Sequence, residues 1–358
     1  MMSLSLRKQE PWPWPFSLSE LTAGLRRYLE DPTLAITQVQ PATMPDRLPS
    51  IGRVRAVEVD FSGAKGDSRQ RLVVKEPQGT TRTGLAGAGR REIGVYRSLA
   101  SELPLEVPVL VAASSSGDWL LMEEIALDHN PNQWQADDYR LAIQQLINLH
   151  DRFWGLEEDL TTFTWLGHPL RADFEIHVAA AAKAIQRIVH KGEPEPIASH
   201  PERMSVLATL TTMADEVIAP LIEQPATLLH GDYWPGNIMV DRQGHQVVLD
   251  WQLTGIGPGI IDLLVFANKS IWWFDPLPLS VEDMVDLYRQ AITRRTGMEW
   301  SDSEWDVLWD HALMWRFLQE WVDLLAATPP PLLEAQATML DEVWLDPVSQ
   351  AVSKRLGA

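Results

Sequence analysis

The sequence predicts an α+β fold, with a small antiparallel β-rich lobe holding one inserted helix, followed by a larger, mainly helical lobe. Three observations carry this. Short alternating or apolar runs separated by turn residues fill the first 125 residues or so; helical spacing dominates from 136 onward; and one β-hairpin region, 225–263, interrupts the helices. At 358 residues, 45% of them hydrophobic, the chain has material for more than one core, since single cores stop growing near 250–300 residues.

Residues 1–16 read as an arm, with Pro and Trp alternating at 11–15. In SLSELTAGLRRYLED, Leu18, Leu21, Leu25 and Leu29 share one helical face. Strand candidates follow at LAITQVQ (34–40), RVRAVEVDF (53–61) and RLVVKEP (71–77), the last two joined by a hairpin loop, SGAKGDSRQ. GLAGAGRRE leads into the helix-like REIGVYRSLASEL, and VPVLVAAS and DWLLMEEI read as two more strands. The β-rich lobe therefore covers 17–125 and the helical lobe 126–358, with helices near 136–154, 173–191, 201–223, 281–296, 303–326 and 332–355. Within the interrupting region, NIMV and QVVLD form a hairpin around DRQG.

Thirty basic against 49 acidic residues leave a net charge of −19, the wrong sign for binding nucleic acid or anionic membrane. Any phosphate site must then be built locally. The absence of cysteine removes disulfides, thiolate nucleophiles and Cys-based zinc sites. Without a signal-like N-terminus or an apolar run of membrane-spanning length, the expectation is a cytoplasmic protein, monomer or homodimer.

The chemistry concentrates in LLHGDYWPGN, where Asp232 and Asn237 stand five positions apart, and in the following strand, which ends at Asp250. Phosphoryl transfer needs an acceptor for the substrate hydroxyl proton, oxygen ligands for Mg²⁺ and a cation on the nucleotide phosphates. An Asp, an Asn five residues on and an Asp closing the next strand supply the first two, at the spacing of a protein-kinase catalytic loop.

HGDYWPGN followed by VVLDWQ resembles the aminoglycoside phosphotransferase and choline kinase-like group, and LINLHDRFW is similar to its ecdysteroid kinase-like branch. The resemblance runs from about 34 to 270 and implies a protein-kinase-like bilobal fold. It implies Asp232 as catalytic base, Asn237 and Asp250 as catalytic Mg²⁺ ligands, and Asp262 as a brace for the loop. Lys75 in LVVKEP would bind the nucleotide phosphates, oriented by Glu92, and the backbone of LLMEEI, from Glu123 to Ile125, would hydrogen-bond the adenine. The implied cofactors are ATP, with GTP as the alternative, and Mg²⁺; the implied partner is a small molecule carrying a hydroxyl. The phosphate-covering loop falls at 41–53, which lacks the glycines of a kinase cradle.

Each residue has a plainer reading. Lys75 could be a solvated strand lysine, and Glu92, after two arginines, a surface ion-pair partner. His150 reads as a core or scaffold histidine, and His230 as ordering the loop by hydrogen bonding. Trp272 and Trp273 read as lobe packing ahead of a cation-binding acceptor wall. The acidic runs 157–160, 281–286 and 300–306 read as caps and solvated faces; if one faces the cleft, it favours a cationic acceptor over a neutral sugar or sterol. The functional alternatives are a nucleotide-binding pseudokinase, against which Lys75, Asp232, Asn237 and Asp250 all stand, and a hydrolase binding metal through His230, Asp232 and Asp250, which lacks a second histidine at ligand spacing.

Overall fold

The computed structural model describes residues 12–44, 52–77 and 86–357. The chain divides into two compact units: Met1–Gln78 with Val109–Glu124, and Gly79–Pro108 with Ile125–Ala358. Most of the arm expected at 1–16 and of the loop expected at 41–53 lies outside the described residues.

In the first unit, helix α1 (Leu18–Tyr28) starts at a capping box in which Ser17 and Glu20 satisfy each other's backbone N–H. Strands β1 (Ala35–Ala42), β2 (Arg53–Gly63), β3 (Gly66–Glu76), β4 (Leu110–Ala113) and β5 (Leu120–Glu123) form an antiparallel sheet in the order β1-β2-β3-β5-β4. SGAKGDSRQ is less of a loop than expected. The strands pair out to Gly63 and Gly66, because Asp60 faces Arg69 and Ser62 faces Asp67 across the ladder, and only Ala64 and Lys65 turn.

The two-residue period of β3 divides its side chains. Leu72 and Val74 join the core that α1 closes with Leu21 and Leu25, together with Val57, Val59 and Leu121. Val73 and Lys75 take the opposite face, where register sets Ala56 and Met122 beside Val73, and Val54 and Leu120 beside Lys75.

In the second unit, α2 (Ala88–Gly94) continues as a wider π-turn, Val95–Leu99. This segment was expected in the β-rich lobe, but it packs on the turn Trp251–Leu253, where Arg91 Nε donates to the Gln252 carbonyl at 2.7 Å. The chain enters this unit for good at Ile125. Strand β6 (Leu127–His129) and α3 (Ala136–Arg152) follow, and the hairpin region yields β7 (Thr227–Leu229), β8 (Ile238–Asp241), β9 (Gln246–Val248) and β10 (Gly255–Gly257). They make a three-stranded sheet, β6-β8-β9, and a two-stranded one, β7-β10. The three-residue strands β6, β7 and β10 escaped the sequence reading because they are too short for periodicity to register.

The remaining residues are mostly helical. The helix expected at 201–223 breaks into Pro201–Thr212 and Ala214–Ile222, bent by 59°. That expected at 303–326 is Asp302–Arg316, a π-turn at Phe317–Trp321 and Val322–Ala327. Ile260–Phe274 is a further helix, with ten buried residues and apolar groups around most of its circumference. Among the described residues, no single helix is long and apolar enough to cross a membrane.

Candidate active site

The loop between β7 and β8 holds Asp232 and Asn237, and its shape is over-determined. Gly231 sits at φ +81°, and a Cβ there would fall 2.0 Å from the Leu253 carbonyl oxygen, so both backbone sign and space require glycine. His230 is fully buried. Its Nδ1 accepts the Asp232 N–H at 3.1 Å, which leaves Nε2 as the protonated nitrogen donating to the Leu249 carbonyl at 2.9 Å. Burial lowers the His230 pKa, and both ring nitrogens are taken, so this histidine orders the loop and has no nitrogen left for a metal. The indole of Trp251 packs 4.5 Å from its ring, which accounts for the Asp-Trp pair at 250–251. Tyr233 pins the other side by donating to the Ala142 carbonyl of α3 at 2.8 Å.

Asp262, wholly buried at the start of its helix, accepts the N–H groups of His230 at 2.7 Å and Gly231 at 2.8 Å, and contacts His150 Nε2 at 3.4 Å. Burial pushes its carboxyl up, but the hydrogen bond and charge of His150 and the Gly231 N–H outweigh it and hold Asp262 below the ordinary carboxylate range. His150 is engaged on its other nitrogen by Tyr288 Oη at 2.7 Å. Both residues therefore brace the loop from below.

Asn237 Nδ2 donates to the Asp232 carbonyl at 2.8 Å and to Asp232 Oδ2 at 3.0 Å, which leaves the Asn237 amide oxygen as its acceptor atom. Asp250 is carried to the same place by Leu249, whose N–H donates to the Asn237 carbonyl at 2.8 Å while its C=O holds His230. Asp250 itself adopts φ 66°, ψ 60°, the left-handed region that non-glycine residues avoid, a conformation that costs about 1–3 kcal/mol unless the surroundings enforce it. The structure thus brings Asp232, Asn237 and Asp250 together.

Glu92 joins this side of the chain. It has no exposed area, which rules out the surface ion-pair reading, and Tyr96 one turn on lies beside both Glu92 and Asp250. Burial first, then those two carboxylates, push the Tyr96 hydroxyl well above its ordinary pKa. Lys75 and Glu123 belong to the first unit. Lys75 is only 5% exposed, between Val54 and Leu120 in the ladder, so it is not a solvated strand lysine. The Glu123 side chain accepts from Tyr28 Oη at 3.0 Å and from the Val109 N–H at 2.8 Å, and its own N–H donates to the Val109 carbonyl at 3.1 Å, so neither is left for a nucleotide.

The sequence reading missed Lys269. Its Nζ pairs with Asp232 Oδ1, lies 3.9 Å from Glu320 Oε1 and sits 5.4 Å from the Trp234 ring centre. Arg316, 2% exposed, pairs with Glu320 and approaches Asp232 Oδ1 to 3.8 Å. The signal was present as a stripe: Asp262, Lys269 and Trp273 lie seven and eleven residues along one helix, and each touches the loop that carries Asp232, Trp273 by packing 6.0 Å from Trp234. Trp272 packs instead on Trp321, ring centres 4.9 Å apart.

The model of the phosphotransferase enzyme family (APH) matches residues 55–300, more than half of the chain. The chain belongs to that family. No curated protein matches it. Its similar solved structures include aminoglycoside-3'-phosphotransferase of type VIII (17% identity, 84% of this chain and 98% of that one, TM-score 0.45). They also include an aminoglycoside phosphotransferase from Alicyclobacillus acidocaldarius (13%, 92% and 96%, TM-score 0.46). A third is the choline kinase LicA from Streptococcus pneumoniae (13%, 95% and 99%, TM-score 0.45). A sheet unit and a helical unit with this hairpin make up the kinase-like α+β fold of the family.

Proposed function

We propose that this family member transfers the γ-phosphoryl group of ATP to a hydroxyl of a small molecule. The observation that carries the reading is the clamp of Asn237 on Asp232 Oδ2, in a loop whose backbone also positions Asp250. ATP is placed ahead of GTP on the resemblance of the catalytic loop to its family, and initial rates with the two nucleotides side by side decide between them.

Asn237 through its amide oxygen and Asp250 through its carboxylate form an all-oxygen donor set, which suits Mg²⁺ and not a thiophilic metal. A Mg²⁺ held by these two residues would supply charge neutralisation on the phosphates. Lys75 supplies a further cation for them. The acceptor hydroxyl oxygen forms its bond to the γ-phosphorus while the bond from that phosphorus to the bridging oxygen breaks. The electron pair leaves on ADP, and the hydroxyl proton passes to Asp232. Because the transition state is loose, the rate gain comes from positioning and charge neutralisation.

The acceptor ranking shifts from the one the acidic runs suggested. Several carboxylates of those runs sit in caps and surface pairs: Glu157 with Arg171, Asp283 at Ser280, Asp302 with Arg289, Asp306 with Lys354 and Arg355. Beside Asp232 the cations Lys269 and Arg316 are matched by Glu320 and Asp232 itself, so the local charge favours neither a cationic nor a neutral acceptor. We therefore rank choline-like and neutral acceptors equally. The test is acceptor-dependent ADP release from Mg·ATP over aminoglycosides, choline, sugars and sterols. A positive acceptor should lose turnover in Asp232→Asn, and retained turnover would refute the role of Asp232.

A further inference from the structure

Both oxygens of Asp232 are engaged, Oδ2 by Asn237 and Oδ1 by a cation, and each keeps a further lone pair that can receive a hydroxyl proton. Lys269 Nζ is the cation docked on Oδ1. An ammonium carries three N–H donors, and among the described residues Lys269 hydrogen-bonds through one only; Glu320 Oε1 at 3.9 Å is beyond hydrogen-bond length, and the Trp234 ring faces the group as a π surface. Lys269 stands between the buried polar residues Asn268 and Ser270 in an otherwise mainly apolar helix, where a charge carries a desolvation cost that an ion pair need not recover. Stability alone is a weak reason for a lysine there.

Resting on the reading proposed above, we infer that Lys269 is a catalytic residue of this site, a cation acting on the oxygens exchanged in the transfer. A hydroxyl hydrogen-bonded to Oδ1 brings its oxygen to about 2.6–3.2 Å from that atom, and so into the neighbourhood of the ammonium. In-line attack then sets the equatorial oxygens of the γ-phosphoryl group around the same point. As the acceptor oxygen bonds to phosphorus, the bridging oxygen departs on ADP with its electron pair, the proton moves to a carboxylate oxygen of Asp232, and the two unused N–H groups of Lys269 hydrogen-bond the phosphoryl oxygens. The cation is preorganised: Asp232, Glu320 and the Trp234 face fix Nζ before substrate arrives, and Arg316 in turn holds Glu320. This arrangement comes from a helix well downstream of the HGD loop, so no motif around Asp232 reveals it.

The chain has no cysteine, so Lys269→Cys introduces a unique thiol that 2-bromoethylamine converts into a lysine analogue in the folded protein. The readout is ADP release from Mg·ATP, with water as acceptor and with the fastest alcohol of a panel of gentamicin, choline, glucose and glycerol. Lys269→Met and unmodified Lys269→Cys should lose about 100-fold or more in kcat, the scale of one preorganised donor, with the KM for Mg·ATP within about threefold of the parent. Aminoethylation, followed to completion by mass, should return at least a tenth of the parental kcat to the same protein sample, which a folding defect would not allow. Lys269→Met within threefold of parental kcat overturns the inference, as does complete aminoethylation without recovery. So does a loss expressed equally in KM, which marks ground-state binding. A parent protein that releases no ADP with water or any of these alcohols removes the kinase reading together with this inference, whereas an active parent with an equally active Lys269→Met removes the inference alone.

Discussion

Asp262→Ala should show how much of the site depends on a residue that touches no substrate. The carboxylate serves three buried donors, the N–H groups of His230 and Gly231 and His150 Nε2, at 2.7, 2.8 and 3.4 Å. A buried donor left without a partner costs about 1–3 kcal/mol, and removing the desolvated charge returns part of the sum, so the net loss of folding stability is about 3–5 kcal/mol. That is a large share of the roughly 5–15 kcal/mol available to a domain. The same change frees the peptide that positions Asp232, and a shift of about 1 Å there lowers kcat on the order of 100-fold. Asp262→Asn should fall between, because its amide oxygen can serve one N–H while its NH₂ group meets the other donor head-on. Urea unfolding followed by tryptophan fluorescence, paired with ADP release, measures both effects. A stability loss under about 1 kcal/mol with kcat within twofold would refute the bracing argument.

Three further outcomes follow from the geometry. Asp232→Asn should abolish transfer with Mg·ATP affinity nearly unchanged, whereas Asp250→Ala should weaken Mg·ATP binding and turnover together; isothermal titration beside initial rates separates the two. Lys75→Ala should cost about 2–4 kcal/mol of transition-state stabilisation, read from kcat/KM, and parental turnover would remove its assignment to the phosphates. Stability should fall on acidification. Burial lowers His177 to about 4 and lowers His230 and His311 as well, so these rings bind protons in the unfolded chain first, and the stability they confer is complete above about pH 6.5 and lost as pH falls. Asp262, also lowered, adds to the loss at more acidic pH, so thermal midpoints at pH 7, 6 and 5 should decline, and His177→Gln should flatten the decline.

Much of this was legible because the chemistry is local in sequence. Asp232 and Asn237 lie on one short loop, and a hairpin of fixed register returns the chain to Asp250, so spacing alone nearly specifies their proximity. The two-residue period of β3 likewise separates Lys75 from the α1-facing core and leaves it on the far side of the sheet. The weaker expectations were those that rested on exposure. Acidic runs look alike whether they cap a helix or line a cleft, and only the partners of Asp302, Asp306 and Glu157 assign them to caps and ion pairs.

The sequence by itself determined the order of sheet and helices, the hairpin at 225–263 and the proximity of Asp232, Asn237 and Asp250 within it, because hydrogen-bond registers and turn lengths of a few residues encode them. Tertiary structure alone decided what surrounds Asp232. Lys269 and Arg316 arrive from helices 37 and 84 residues downstream, and their convergence on Oδ1 depends on helix packing, which no local spacing records. It also decided that α2 packs on the turn after Asp250, since Arg91 finds its carbonyl partner 161 residues away. Charges at such separations meet only after the apolar faces between them have been buried, so the electrostatics of this site is a consequence of the core.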